Sequence, residues 1–253
     1  MALRVEHLKY SIGDRAILSE IGISFEPGRF YGIVGPNGSG KTTLLRLLLG
    51  LLLPQSGGLL LDEESIGRMK EKARARKLAF VPQMFHVEYA FSVRELVAMG
   101  RYPHMESLQK PSSVDSAAVE AALEQTDLLG LAERDVDSLS GGELQRVVIA
   151  RALAQDTPFI LLDEPLSHLD LYNQLEILRL LSHICKEQGK TVICVIHDLN
   201  LALRFCEQMV LLREGHVFAQ GEPDAVLSEE NIQDVFRVAA KRCMVDGAPI
   251  LIF

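Results

Sequence analysis

None of the four cysteines (Cys185, Cys194, Cys206 and Cys243) stands in a C-x-x-C pair, and none falls at metal-ligand spacing. That excludes a zinc ribbon or a disulfide framework and predicts reduced thiols in a cytosolic protein. Basic charge is also scarce: 26 Lys and Arg stand against 34 Asp and Glu, a net charge of −8. Such a balance argues against a nucleic-acid partner, whose phosphates favour a basic surface. Long apolar runs are missing too. The most apolar window, Leu44 to Leu53, is interrupted by Arg46 and Gly50 and ends at Pro54, short of the roughly 20 residues a bilayer span requires. Arg4, Glu6, His7 and Lys9 break up the start, so no signal peptide is expected. There is no internal repeat and no low-complexity tract. Any action at a membrane is expected to run through partners.

What remains is ordinary globular composition, 48% apolar and 24% charged over 253 residues, enough for one large domain or two small ones with a good core. Short runs rich in β-branched or aromatic residues predict strands at Ile21–Phe25, Phe30–Val34, Lys77–Val81, Phe159–Leu162, Thr191–Ile196 and Met209–Leu212. Several are continuous rather than alternating, as in parallel strands covered on both faces. A helix is predicted from about Leu171 to Lys186, with Leu171, Leu175, Leu178, Leu181 and Cys185 on one face and Gly189 as its stop. A second runs from about Asp115 to Asp127, presenting Val119, Ala122, Leu123 and Thr126. The pattern predicts an α/β fold with a mostly parallel sheet. One domain over 1–253 is expected, with a core at about 1–84 and 155–227. A helical subdomain would occupy 85–154, a small closing hairpin 209–227 with Gly215 at its turn, and a tail 228–253.

The most informative segment is Gly35-Pro36-Asn37-Gly38-Ser39-Gly40-Lys41-Thr42-Thr43. It fits the phosphate-loop pattern G-x-x-x-x-G-K-[ST] and sits between the apolar Phe30–Val34 and the helix-forming Leu44–Leu48. Glycines let successive N–H groups turn inward toward phosphate oxygens, and the positive end of the following helix adds attraction. Lys41 is positioned for the terminal phosphates and Thr42 for Mg²⁺, so a nucleoside triphosphate is the expected ligand.

Two further segments carry chemistry. Phe159-Ile160-Leu161-Leu162 delivers Asp163 and Glu164 at the end of a buried strand, where ligands sit in open α/β sheets. Asp163 suits the Mg²⁺ shell, and Glu164 suits the role of base toward an attacking water. Leu139-Ser140-Gly141-Gly142-Glu143, continuing to Gln145 and Arg146, reads as a capping box and equally as a helix N-terminus open to an anion.

These motifs, in this order and across essentially the whole chain, resemble the ATP-binding cassette (ABC) ATPases. The resemblance implies a P-loop NTPase (RecA-like) fold, a mostly parallel core sheet with a small antiparallel β part and an inserted helical subdomain. It implies ATP and Mg²⁺ as ligands, hydrolysis of ATP, and a homodimer in which Ser140, Gly141, Gly142 and Glu143 of one copy face the phosphate loop of the other. It assigns Gln83 to Mg²⁺ and the attacking water, and His197 to the γ-phosphate and to orienting Glu164. Asp170, in Ser167-His168-Leu169-Asp170, falls in the loop linking the two sites; alone it reads as a helix N-cap. Tyr10, 31 residues before Lys41, falls where the family stacks an aromatic on adenine. Glu143, Leu166 and His168 depart from the family's usual glutamine, threonine and alanine; none removes a group that touches phosphate or metal.

Val93 through His104, the segment His197 through Ala202, and the ending from Asp224 through Ile252 resemble the ATPase subunits of importers for iron–siderophore, haem and cobalamin. That implies two integral membrane permease subunits as partners, fed by a substrate-binding protein, with the chain peripheral at the cytoplasmic face of the inner membrane. Phe85–His104 would form the docking surface, with Phe85, Tyr89 and Phe91 as candidate contacts, though core packing explains these three almost as well. A P-loop kinase or GTPase is disfavoured: there is no Asn-Lys-x-Asp guanine motif. An exporter ATPase, or an importer ATPase for zinc, manganese or molybdate, shares every catalytic residue and is the alternative.

Overall fold

The computed structural model describes residues 2–85, 90–106 and 110–253. Strands β1 (Leu3–Ile12) and β2 (Arg15–Phe25) form an antiparallel pair and lead into β3 (Phe30–Val34), which is buried throughout. After helix α1 (Lys41–Leu48), β4 (Ser56–Leu61) and β5 (Glu64–Ser65) complete an antiparallel sheet of order β2-β1-β4-β5. Of this sheet, sequence patterning finds only the end of β2, Ile21–Phe25. The reason lies in β1, where the register shifts between Val5 and Leu8 and disturbs the alternation that marks a half-buried strand.

Short helix α2 (Glu71–Ala75) precedes β6 (Leu78–Val81). The described residues up to β7 (Phe159–Leu162) then hold α3 (Val93–Ala98), α4 (Ser113–Gln125), α5 (Gly141–Ala154) and 3₁₀ turns, with a single isolated bridge between Ser92 and Asp135. All three helices start on a capping box, closed by Ser92 with Glu95, Ser112 with Asp115 and Ser140 with Glu143. Such boxes satisfy the otherwise orphaned N–H groups of the first turn.

Helix α6 (Leu171–Gln188) ends at Gly189 in a left-handed cap, φ 64°. It buries Ile177, Leu178, Leu181, Ile184 and Cys185, whereas Leu171 at its first position overshoots the core and is exposed. The remainder is β8 (Thr191–Val195), α7 (Leu199–Phe205), β9 (Gln208–Arg213), β10 (His216–Gly221), α8 (Pro223–Val226) and α9 (Glu229–Phe236). A closing hairpin of β11 (Lys241–Val245) and β12 (Ala248–Ile252) follows.

The principal sheet has the order β10-β9-β3-β8-β7-β6. Its five strands from β9 to β6 run parallel, and β10 adds an antiparallel edge through the turn at Glu214-Gly215. The continuous apolar runs have a direct cause here. Phe159 and Leu161 of β7 face one core with Leu44, Leu48 and the β1–β2 sheet, while Ile160 and Leu162 face another with α5 and α6. With a core on each face, β7 has no position left for a polar residue. Cys185, Cys194 and Cys206 are buried in the second core and all four thiols are free. Burial pushes the Cys185 thiol up to about 12 and the Cys194 thiol upward as well. Among the described residues no helix is long and apolar enough to cross a membrane.

Candidate functional site

Four neighbouring parallel strands deliver the site. In sheet order β3, β8, β7, β6 their carboxyl ends lead into the phosphate loop, His197, Asp163-Glu164 and Gln83. The register keeps these ends level, with Ile33 beside Val195, Cys194 beside Leu162, and Leu162 beside Val81. Residues scattered over more than half the chain thus meet along one sheet edge, the usual ligand position in open parallel sheets.

In the phosphate loop Gly35 runs so close to β9 that an added Cβ would lie 2.3 Å from the Leu212 carbonyl oxygen. Gly40, at φ 102°, is the N-cap of α1, and a Cβ there would meet the Leu18 side chain at 2.6 Å. No side chain caps α1, so the first-turn N–H groups of Lys41, Thr42 and Thr43 have no helical acceptor and suit an anion. The Ser39 hydroxyl is buried without a hydrogen-bond partner beside Gly35. Lys41 Nζ donates to the carbonyl oxygens of Gly35 and Pro36 at 2.9 and 3.0 Å; burial draws its affinity for the proton down, and Glu164 and Asp163 oppose that. Two of its three donors are so engaged, leaving one for a ligand. These features fit a polyphosphate.

Thr42 Oγ1 donates to Asp163 Oδ1 at 3.0 Å. Burial raises the Asp163 carboxyl above its ordinary value, an effect the Thr42 hydrogen bond offsets in part. Among the described residues there is no cluster of three or more His, Cys, Asp or Glu able to hold a metal. Thr42, Asp163 and Gln83 instead offer the sparse oxygen set that suits Mg²⁺ shared with phosphates and water.

Glu164 stands at φ 49°, a conformation uncommon for a residue with a side chain. Its carboxylate is held on both sides: Gln83 Nε2 donates to Oε2 at 2.7 Å and His197 Nε2 lies 2.6 Å from Oε1. Ser167 Oγ adds a longer contact at 3.4 Å.

The other candidates gather in a second group. Ser140 N and Oγ donate to Glu143 Oε2 at 2.8 and 2.6 Å, and these bonds hold the Glu143 carboxyl below the ordinary range. Gly141 has open space where a Cβ would stand, while at Gly142 it would collide with the Asn173 side chain at 2.7 Å. Asp170 caps α6 and binds that same Asn173 through its backbone N–H and side-chain amide. Among the described residues, the hydrogen bonds of Ser140, Glu143 and Asp170 stay within this group and do not reach the phosphate loop. Asn173 escapes a reading of the sequence: three residues after an N-cap it looks like local capping, and only the packing of α6 on α5 brings it to Gly142. Tyr10, half-buried on β1, pairs with Leu18, the residue packed on Gly40.

Phe85, read as a protein contact or as core packing, is half-buried. It packs on the core, with the Arg151 guanidinium 4.7 Å above its ring. Tyr89 lies outside the described residues.

A phosphate loop, an aspartate bonded to its threonine and a glutamate poised at a strand end define a P-loop ATPase. The family model described as "ABC transporter" matches residues 18–167, and the chain belongs to that family. It is similar to the petrobactin import ATP-binding protein FpuD of Bacillus anthracis, with 40% identity over 249 residues, covering 98% of this chain and 90% of that protein. A solved metal-chelate type ABC transporter in an inward-facing conformation superposes with a TM-score of 0.86 at 33% identity, over 99% of this chain and 95% of that one. A dimeric ATP-binding cassette in a post-hydrolysis state with ADP and Pi gives 0.76 at 30% identity, over 87% and 98%. The chain is accordingly an ATP-binding, ATP-hydrolysing cassette.

Proposed function

We propose that two copies of this chain form the ATPase of an importer for an iron–siderophore, haem or cobalamin, seated peripherally at the cytoplasmic face of the inner membrane. The observation that carries the chemistry is the Glu164 carboxylate, fixed between Gln83 and His197 beside the Thr42–Asp163 pair. The relatives, one importing petrobactin and one of metal-chelate type, support the direction of transport and the cargo class over an exporter or a zinc, manganese or molybdate importer.

On this reading the first-turn N–H groups of α1 and Lys41 bind the β- and γ-phosphates, and Tyr10 stacks on adenine. Thr42, Asp163 and Gln83 would hold Mg²⁺, which would offset phosphate charge when bound. Glu164 accepts the proton of the attacking water, with His197 and Gln83 fixing its orientation. Ser140 and Gly142 of a second copy close on the γ-phosphate from the far side, Gly141 leaving room for the approach. Asp170 and Asn173 then tie the closing helix to α6. The post-hydrolysis cassette dimer supports the two-copy arrangement.

Coupling to two membrane subunits would use a cleft of about 650 Å³ between the core and the helical region. Leu49, Leu51, Phe80 and Tyr102 line it with Arg74 and Arg151, and Leu51 and Tyr102 are exposed. It takes in part of the expected docking segment, Met99, Gly100, Tyr102 and Pro103. The test is to co-purify the chain with its membrane subunits and binding protein and measure which chelates stimulate ATP hydrolysis. Stimulation by a ferric siderophore, haem or cobalamin supports the reading; stimulation only by free zinc, manganese or molybdate overturns it.

A further inference from the structure

The carboxy-terminal hairpin is tied to the helix that follows His197. Asn200 Nδ2 donates to the Leu251 carbonyl oxygen at 3.1 Å and Leu251 N donates back to Asn200 Oδ1 at 2.7 Å. One side-chain amide thus satisfies both backbone groups of a residue 51 positions away, as a neighbouring strand would. Leu251 is the anchor of the hairpin: it is 4% exposed in the core, while Ile252 and Phe253 after it are 53% and 62% exposed.

The geometry at the other end of α7 links this clip to the reacting centre. Asp198, directly after His197, is the N-cap of α7 and accepts from the backbone N–H groups of Asn200 and Leu201 at 2.8 and 2.9 Å. Asn200 therefore belongs at once to the cap that starts the helix and to the clip that holds it. Helix α7 has only seven residues, too short to hold itself, so its placement depends on what it packs against. A two-stranded hairpin is likewise marginal alone. This one is fastened at its base by Arg242, whose N–H donates to Glu229 Oε1 at 2.7 Å and whose guanidinium binds the Asp224 carbonyl oxygen at 3.1 Å and its carboxylate.

We propose that the β11–β12 hairpin is a brace for His197, and that Asn200 is a positioning residue acting on Glu164 through His197. This rests on the role given to His197 above. A relay of Leu251, Asn200, Asp198, His197 and Glu164 connects the hairpin to the base. Loosening α7 would let His197 drift from its 2.6 Å contact, and reaction geometry is sensitive on that scale.

The test measures steady-state MgATP hydrolysis by the full-length purified chain for Asn200→Ala, Leu251→Pro, His197→Ala and the double variant Asn200→Ala/His197→Ala. Leu251→Pro removes the hairpin's donor and the buried side chain that anchors it, loosening the hairpin without changing a residue of α7. Both brace variants should lower kcat about tenfold with KM for ATP unchanged. In the His197→Ala background Asn200→Ala should have no further effect on the residual rate, because the group it positions is gone. Wild-type kcat in the brace variants while His197→Ala is impaired overturns the brace. So does an equal loss from Asn200→Ala with and without His197, which would mark a general structural role. Near-normal turnover in His197→Ala overturns the reading of His197 itself, and the brace with it. Should Asn200→Ala not fold, Leu251→Pro carries the same comparison.

Discussion

His197 Nε2 and Glu164 Oε1 lie 2.6 Å apart, although the residues come from different strands and 33 positions separate them. The carboxylate's other oxygen takes the Gln83 amide at 2.7 Å. Glu164 is held at both oxygens in one orientation before any substrate arrives, which is preorganisation of the kind that proton transfer requires. Glu164→Gln is predicted to keep ATP affinity and to hydrolyse it about 10²- to 10⁴-fold more slowly. Single-turnover assays beside equilibrium nucleotide binding would check this, and near-normal turnover would refute the assigned role.

Closure on a second copy makes a different prediction. Gly141 is open where a partner must approach, and Ser140 sits at the exposed start of α5. Ser140→Arg should abolish ATP-driven dimerisation while leaving nucleotide binding by single copies intact. Light scattering with and without ATP distinguishes the outcomes; unchanged dimerisation would argue against the shared site.

Gly40 combines φ 102° with the Leu18 side chain 2.6 Å from where a Cβ would stand. Gly40→Ala should therefore strain the loop, costing about 1–3 kcal/mol of stability, and weaken ATP binding. Thermal unfolding and a binding titration test both parts.

Asp115 offers a pH signature. Ser112, through its hydroxyl and backbone N–H, and then Arg101 hold its carboxyl down at about 2 against an ordinary 3.8. The folded value is the lower one, so the stabilisation is fully present above pH 3.8 and is lost as pH falls toward 2. Asp115→Asn should cost on the order of 1–2 kcal/mol near neutrality. The gap from wild type should shrink in acid unfolding curves below pH 4, whereas a gap independent of pH would contradict the linkage.

Much of this molecule is legible in one dimension because the signals are local. The phosphate loop must be contiguous, since successive N–H groups of one turn cradle one phosphate. Phe159–Leu162 announces a doubly covered strand by its lack of alternation, and Gly189 stops α6 where a left-handed residue is required. The bulged β1 and the β11–β12 hairpin stay hidden. In the first a register shift scrambles the period; the second is a short, largely exposed pair held by contacts to distant residues, Leu251 to Asn200 and Arg242 to Glu229 and Asp224.

By itself the sequence determined the ligand class, the order along the chain of the five parallel core strands, and the residue types available for catalysis, because backbone geometry and charge act over a few positions. Only the tertiary structure decided which of those residues work together. Level registration of β3, β8, β7 and β6 sets Glu164 between Gln83 and His197, and the packing of α6 on α5 brings Asn173 to Gly142. The same folding brings Leu251 back to Asn200. These contacts have no period along the chain, since they depend on burying two faces of one sheet at once.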